Sequence, residues 1–247
     1  MPEIIANTTD GYQATGLTSG WDNSHDKTSG HQSLQITTTN TRFFGARTEF
    51  SAPRSAYYIV RTFFDFDVSS ISANVTAATF SVMTDVNGGN DNIVLKSGHD
   101  PSDTGTTWFT TWLTGLGGTI SGWGTSSTGV TAFSSNTTTA ANLNFTDYTL
   151  NAAALSHLNS IRGTSNLFKI AVLNYDFDYL DVDPGPSSGN QKTGFYYANH
   201  GTSANRPHLN YTTGAAGYGN TVMGVASGNI AAVNGVTTAN IEKVMGV

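Results

Sequence analysis

Four aspartates, Asp176, Asp178, Asp181 and Asp183, crowd one short run, Asn174-Tyr-Asp-Phe-Asp-Tyr-Leu-Asp-Val-Asp-Pro-Gly185. Carboxylates this dense can hold calcium, which takes roughly six to eight oxygens, or serve as acid and base on a glycoside. The run is not an EF-hand loop, because the Gly and the distal Glu of that loop are missing. A third reading makes it a solvated edge whose charges discourage strand-to-strand aggregation. Asp65 and Asp67 stand two apart, so on a strand they share a face. Asp67 then either closes the strand by accepting backbone N–H groups of the Val68-Ser69-Ser70 turn or serves as a calcium ligand. Asp85, Asn87, Asn90 and Asp91 read the same two ways, as a turn or as a metal site.

Trp108, Trp112 and Trp123 lie in one loop-rich region beside Phe109. Their flat faces can stack on sugar rings or fill the core. Trp123, between Gly122 and Gly124, is the one to expect at the surface. The histidines, at 25, 31, 99, 157, 200 and 208, form no HxH or HExxH pair that would hold zinc. There is no cysteine, no Gly-X-Ser-X-Gly elbow, and no Gly-Lys-Ser/Thr after Gly115-Leu-Gly-Gly118. Sequence gives catalysis no support. The chain reads as a non-enzyme without a cofactor, calcium being the one candidate.

The elements that must position these residues are mostly strands. Residues 55–67 are rich in aromatic and β-branched side chains, and 77–84 and 92–97 follow across a dense turn cluster. Further strands are predicted at 34–39, 42–50, 167–175, 194–199 and 208–212. One helix is predicted at 151–161, capped by Asn151, with Leu155, Leu158 and Ile161 on one face and Gly163 as its stop. Short strands, frequent turns and one short helix predict an all-β, antiparallel β-sandwich or jelly roll over residues 1–213. Phe64, Phe66, Ile71, Phe80 and Leu209 should share its core. Residues 214–220 read as a Gly/Ala linker.

Beyond the linker an eleven-residue pattern repeats. Gly224, Gly235 and Gly246 fall eleven apart, as do Val225, Val236 and Val247, while Ile230 answers Ile241. Val222, Val233 and Val244 complete the apolar set. So short an array, residues 221–247, buries too little apolar surface to stand alone. It is expected to dock on another surface, and homo-oligomerisation, with a trimer favoured, is its natural use.

Charged residues are only 11% of the chain, against 38% hydrophobic and 11% aromatic, which points to a packed fold with a Thr/Ser/Asn/Gly-rich surface. A net charge of −6 without any Lys/Arg run argues against nucleic acid. No apolar run is long enough to span a bilayer, and residues 1–7 lack the features of a secretory signal. An extracellular-looking surface without an export signal fits a virion protein, made in the host cytoplasm and exposed after lysis.

Four segments resemble a family. Thr9-Asp-Gly-Tyr12 with Trp21 is similar to the opening strand of DNRLRE-type β-sandwich domains, which are related to a carbohydrate-binding-module family. The run from Arg61 to Ile71 (RTFFDFDVSSI) resembles their most recognisable stretch. Ala77-Ala-Thr-Phe-Ser-Val82 is similar to the strand that follows, and Asn205-Arg-Pro-His-Leu-Asn-Tyr211 to the closing one. The region between Asn92 and Tyr148 departs from the pattern. The repeat tail resembles a carboxy-terminal element of tailed-phage virion proteins. These resemblances imply a structural protein displayed on a tailed-phage virion, as a capsid decoration protein, with the major capsid protein or tail subunits as partners. The alternative they leave is a glycan-binding adhesion module.

Overall fold

The structure, a computed structural model, describes residues 2–25, 45–86, 90–100, 130–186 and 191–214, with the short strands at 232–233 and 236–237. The fold is antiparallel and all-β, built on two long strands, β4 (Ala56–Asp67) and β5 (Val75–Val86). Each is the spine of one sheet. Val60 pairs with both Ala14 of β2 (Gly11–Ala14) and Arg47 of β3 (Ala46–Ser51), which places those strands on opposite edges of β4. Beyond β3, the same edge of β4 takes β9 (Leu167–Asn174), then β6 (Asp91–Lys96) and β7 (Thr137–Thr138). On β5, Phe80 pairs with Tyr148 of β8 (Phe145–Thr149) and with Leu209 of β11 (His208–Thr213), and β1 (Glu3–Ile5) lies outside β11.

One strand joins the two sheets. In β10 (Gln191–Phe195), the first three residues pair with β3, and Gly194 and Phe195 pair with β5 across a register shift. Such a shift bends the strand and turns the corner of the sandwich. Gly45 sits against this corner: a Cβ there would lie 2.5 Å from the Thr193 carbonyl oxygen and from the Phe195 ring, so only glycine fits.

The two spines differ in sequence because they differ in cover. On β5, Ala78, Phe80 and Val82 point inward while Ala77 is exposed, the alternation of a sheet with one wet face. On β4 both faces are covered, so its apolar run is nearly continuous. Phe64 and Phe66 enter the main core with Ile71, Phe80, Tyr148, Phe168 and Leu209, which confirms the predicted core set. Phe63 and Ile59 instead face outward into two satellite clusters, one with Ile93, Leu95 and Leu173, the other with Trp21 and Tyr57.

Among the described residues there are two α-helices, α1 (Trp21–His25), which the sequence does not predict, and α2 (Ala152–Ile161), which it does. The Asn151 side chain accepts the Ala154 N–H, Leu158 is buried, and Gly163 follows at φ +70°, all as read from the sequence. Asp67 takes its turn role, accepting the Ser69 N–H at 2.9 Å. Strand β10 begins at Gln191 rather than at 194, because pairing with β3 precedes the corner. The predicted strand at 34–39 lies outside the described residues. Strands β1, β7 and β8 were not predicted, the first two having only three and two residues. Among the described residues the large sheet makes its last pair at Thr213, and Gly214 donates to the Asn74 carbonyl.

Candidate functional site

The acidic run is placed by the outward face of β4. Side chains alternate along a strand, so Tyr57, Ile59, Arg61, Phe63 and Asp65 all face away from the main core. Opposite them the chain leaves β9 at Asn174, whose side chain accepts the Phe177 N–H and starts a single π-helical turn, Tyr175–Tyr179. That turn replaces the strand-like alternation with a wider sweep and sends the aspartates in different directions.

Asp178 points inward. Its two oxygens receive the Arg61 guanidinium, Nε at 3.0 Å and Nη2 at 2.7 Å, and both side chains are fully buried. This is the two-pronged geometry that suits guanidinium and carboxylate. Arg61 Nη2 also donates to the His25 carbonyl, while His25 Nε2 lies 2.9 Å from the Asp178 carbonyl oxygen. Asp181, at φ +52°, accepts the Trp21 indole N–H at 2.9 Å and stands 3.3 Å from His25 Nδ1. Trp21 and His25 stack at 5.0 Å on one turn of α1. Asp183 accepts the Tyr57 hydroxyl at 2.9 Å, and burial together with this bond raises the Tyr57 pKa to about 12. Asp176 stays exposed, its pKa raised first by desolvation and then by Asp91.

Asp178 and Asp181 therefore fasten the run to β4 and α1, meeting at His25, and for them the solvated-edge reading is corrected; Asp176 and Asp183 stay exposed, Asp183 holding the Tyr57 hydroxyl. The buried Arg61 guanidinium on β4 draws Asp178 inward. Among the described residues, no group of three or more His, Asp or Glu side chains is arranged to hold a metal ion. Asp91, of the second acidic cluster, accepts from Asn136 and Thr138 and fastens the β6–β7 margin, while Asn90 is buried. Asn87 lies outside the described residues.

A second polar group centres on Asp65, fully buried on the same face of β4. Asn7 Nδ2 and Thr9 Oγ1 donate to its two oxygens. His99 Nε2 lies 4.0 Å from Asp65, and His99 Nδ1 is 2.7 Å from Ser97 Oγ. The residue types are those of a hydrolytic triad. Ser97 is only 3% exposed, however, and its hydroxyl also accepts the His99 N–H, which is a local turn. Burial lowers the His99 pKa against the opposing pull of Asp65. Asp10, nearby, accepts the Ala198 N–H, and burial raises its pKa well above the usual carboxylate range.

Trp108, Trp112 and Trp123 lie outside the described residues, as do Val222, Val225, Ile230, Ile241, Val244 and Val247. Val233 and Val236 are described by their backbone: they pair with each other, beside Ala232 with Thr237, as a hairpin of β12 (Ala232–Val233) and β13 (Val236–Thr237). Two residues, Asn234-Gly235, separate the strands, a sequence favoured in the tightest hairpin turns. The Arg61–Asp178 pair was not foreseen. Its one signal was a lone Arg inside an aromatic strand. Set against known proteins, the chain matches no family model and no curated sequence.

Proposed function

We propose that this chain is a non-enzymatic structural protein displayed on the virion of a tailed phage, a capsid decoration protein held or oligomerised through residues 221–247. The observation that carries the reading is the two-stranded hairpin inside the repeat tail. Among the described residues the large sheet makes its last pair at Thr213, and Ala232–Val233 pair with Val236–Thr237 as a two-stranded sheet. Strands of two residues bury almost nothing and are not stable alone. Such a hairpin needs a surface to pack on, and an apolar repeat supplies the side chains for it. The sandwich, by contrast, fills its own core, and its most polar interior groups are spent on fastening its loops. This division fits a display module with an anchor. The phage resemblance of the tail and the Lys-poor, Thr/Asn-rich surface point the same way. Among the described residues no helix is long and apolar enough to cross a membrane.

Quantitative mass spectrometry on purified particles tests the reading. Many copies per particle, in a fixed ratio to the major capsid protein, are expected. Absence from the particles, with the protein free in the medium, would favour the glycan-binding adhesion module.

A further inference from the structure

We infer that the sandwich encloses a hydration site where β6, β8 and β10 meet, in which ordered water bridges Asn90, Asn92 and Tyr148. The inward faces of both sheets turn from apolar to polar at this end. On β6, Val94 lies in the main core, and Asn92 and Asn90 fall on the same face at two-residue steps. On β5, Phe80 and Val82 give way to Thr84, whose hydroxyl meets that of Thr146 on β8 at 2.8 Å. On β10, Thr193 precedes the core residue Phe195, and the Asn92 amide nitrogen reaches the Thr193 hydroxyl at 3.4 Å. Two neighbours tie Asn90 into the same layer: Thr139 donates to the Asn90 carbonyl, and the Ala140 N–H to Thr146 Oγ1.

This layer satisfies only part of itself. Asn90, Asn92 and Tyr148 are enclosed, at 1% exposure or less. Both side-chain atoms of Asn90, the Asn92 Oδ1 and the Tyr148 hydroxyl have no hydrogen-bond partner among the described residues. Burial raises the Tyr148 pKa, and the Asn92 side chain beside the hydroxyl opposes the rise, which places the two groups together. A polar atom taken from water and left unmatched weakens the fold, and four in one layer weaken it several times over. A buried water makes about three hydrogen bonds, so about two molecules match these atoms and the threonine hydroxyls around them.

The donor set selects water over a metal ion. Asn90 presents an amide nitrogen as well as an oxygen, and the hydroxyls can donate or accept. The acids next in sequence alternate to the other side of their strands. There Asp91 accepts from Asn136 and Thr138, and Asp147 from Ser81. A cation in the layer would face amide nitrogens with no carboxylate turned toward it, whereas water serves donors and acceptors alike.

The site lies within the sandwich, so it is tested on the full chain whether or not the protein is found on particles. Water-selective nuclear Overhauser spectra of isotope-labelled protein should show cross-peaks from water to the Asn90 and Asn92 side-chain amides. In the rotating frame these should take the sign opposite to the diagonal, the mark of held water rather than proton exchange. Tyr148→Phe removes one oxygen and little else, and it should lower the urea midpoint because it strips a partner from that water. A hydroxyl with nothing to bond would give the reverse, since its removal relieves a burden on the fold. The midpoint should not depend on whether lithium, sodium or potassium is the cation at fixed ionic strength. Three results would overturn the assignment. These are the lack of water cross-peaks at both side-chain amides, an unchanged or raised midpoint in Tyr148→Phe, and a stabilisation by sodium or potassium over lithium that Asn92→Leu abolishes.

Discussion

Arg61 and Asp178 stand 117 residues apart in sequence, yet they form a two-pronged ion pair that solvent does not reach. The pair ties the centre of β4 to the π-helical turn after β9, and through the His25 carbonyl it holds α1 as well. Removing one partner strands a buried charge, which costs roughly 3–5 kcal/mol. Arg61→Ala and Asp178→Ala should each lower stability by about that much in urea unfolding. The double variant Arg61→Met/Asp178→Leu should lose distinctly less than the sum, because it leaves no unpaired charge. Additive losses would show that the two side chains do not act as a pair.

The main core depends on Phe66, which is fully buried and meets Phe80 edge-on at 5.9 Å and Phe168 at 6.5 Å. Phe66→Ala should cost about 3–5 kcal/mol, the usual range for a buried Phe. A change under about 1 kcal/mol at equal unfolding cooperativity would contradict the packing described.

Residues whose neighbours are near in sequence were legible before the fold was known. The Asn151 cap, the Gly163 stop and the Asp67–Ser69 turn each need only a few consecutive residues, and each is where the sequence puts it. The core set followed from the aromatic pattern of β4 and β5. What stayed hidden depends on distant partners. Asp178 looks like a surface acid until Arg61 is seen opposite it, and nothing in Asn7 or Thr9 tells of the Asp65 carboxylate beneath them. The corner in β10 was hidden for the same reason: the switch at Gly194 is set by which sheet each half of the strand meets.

Stability should fall as pH drops from about 6.5 toward 4. His157 lies beside the stacked rings of Phe133 and Phe168, and burial, with Lys96 and Lys169 nearby, lowers its pKa from 6.5 to about 4. Buried His99 is shifted in the same direction. Above about pH 6.5 both folded and unfolded chains carry these rings neutral, and the contribution is complete. Below that, the unfolded chain takes up protons that the folded one refuses, so stability is lost progressively and is gone once pH passes below the folded value. His157→Gln should flatten the dependence of the urea midpoint between pH 7.5 and 5. An unchanged slope would remove His157 from the account.

Calcium should matter little to the acidic run. Asp178, Asp181 and Asp183 already accept from Arg61, Trp21 and Tyr57, so an ion would have to displace protein donors. The melting temperature should be the same with calcium and with chelator at fixed ionic strength. A rise of several degrees with calcium would show native-state binding by mass action and reinstate the metal site.

The anchoring role of the tail is tested most directly by molar mass in solution. Light scattering is measured on the full 26.0 kDa chain and on a variant lacking residues 217–247. The account predicts an oligomer, a trimer by preference, for the full chain. The truncated chain should be a monomer that melts at the same temperature, because among the described residues the large sheet makes its last pair at Thr213. The same oligomeric state for both chains would contradict the claim that the tail is the anchor.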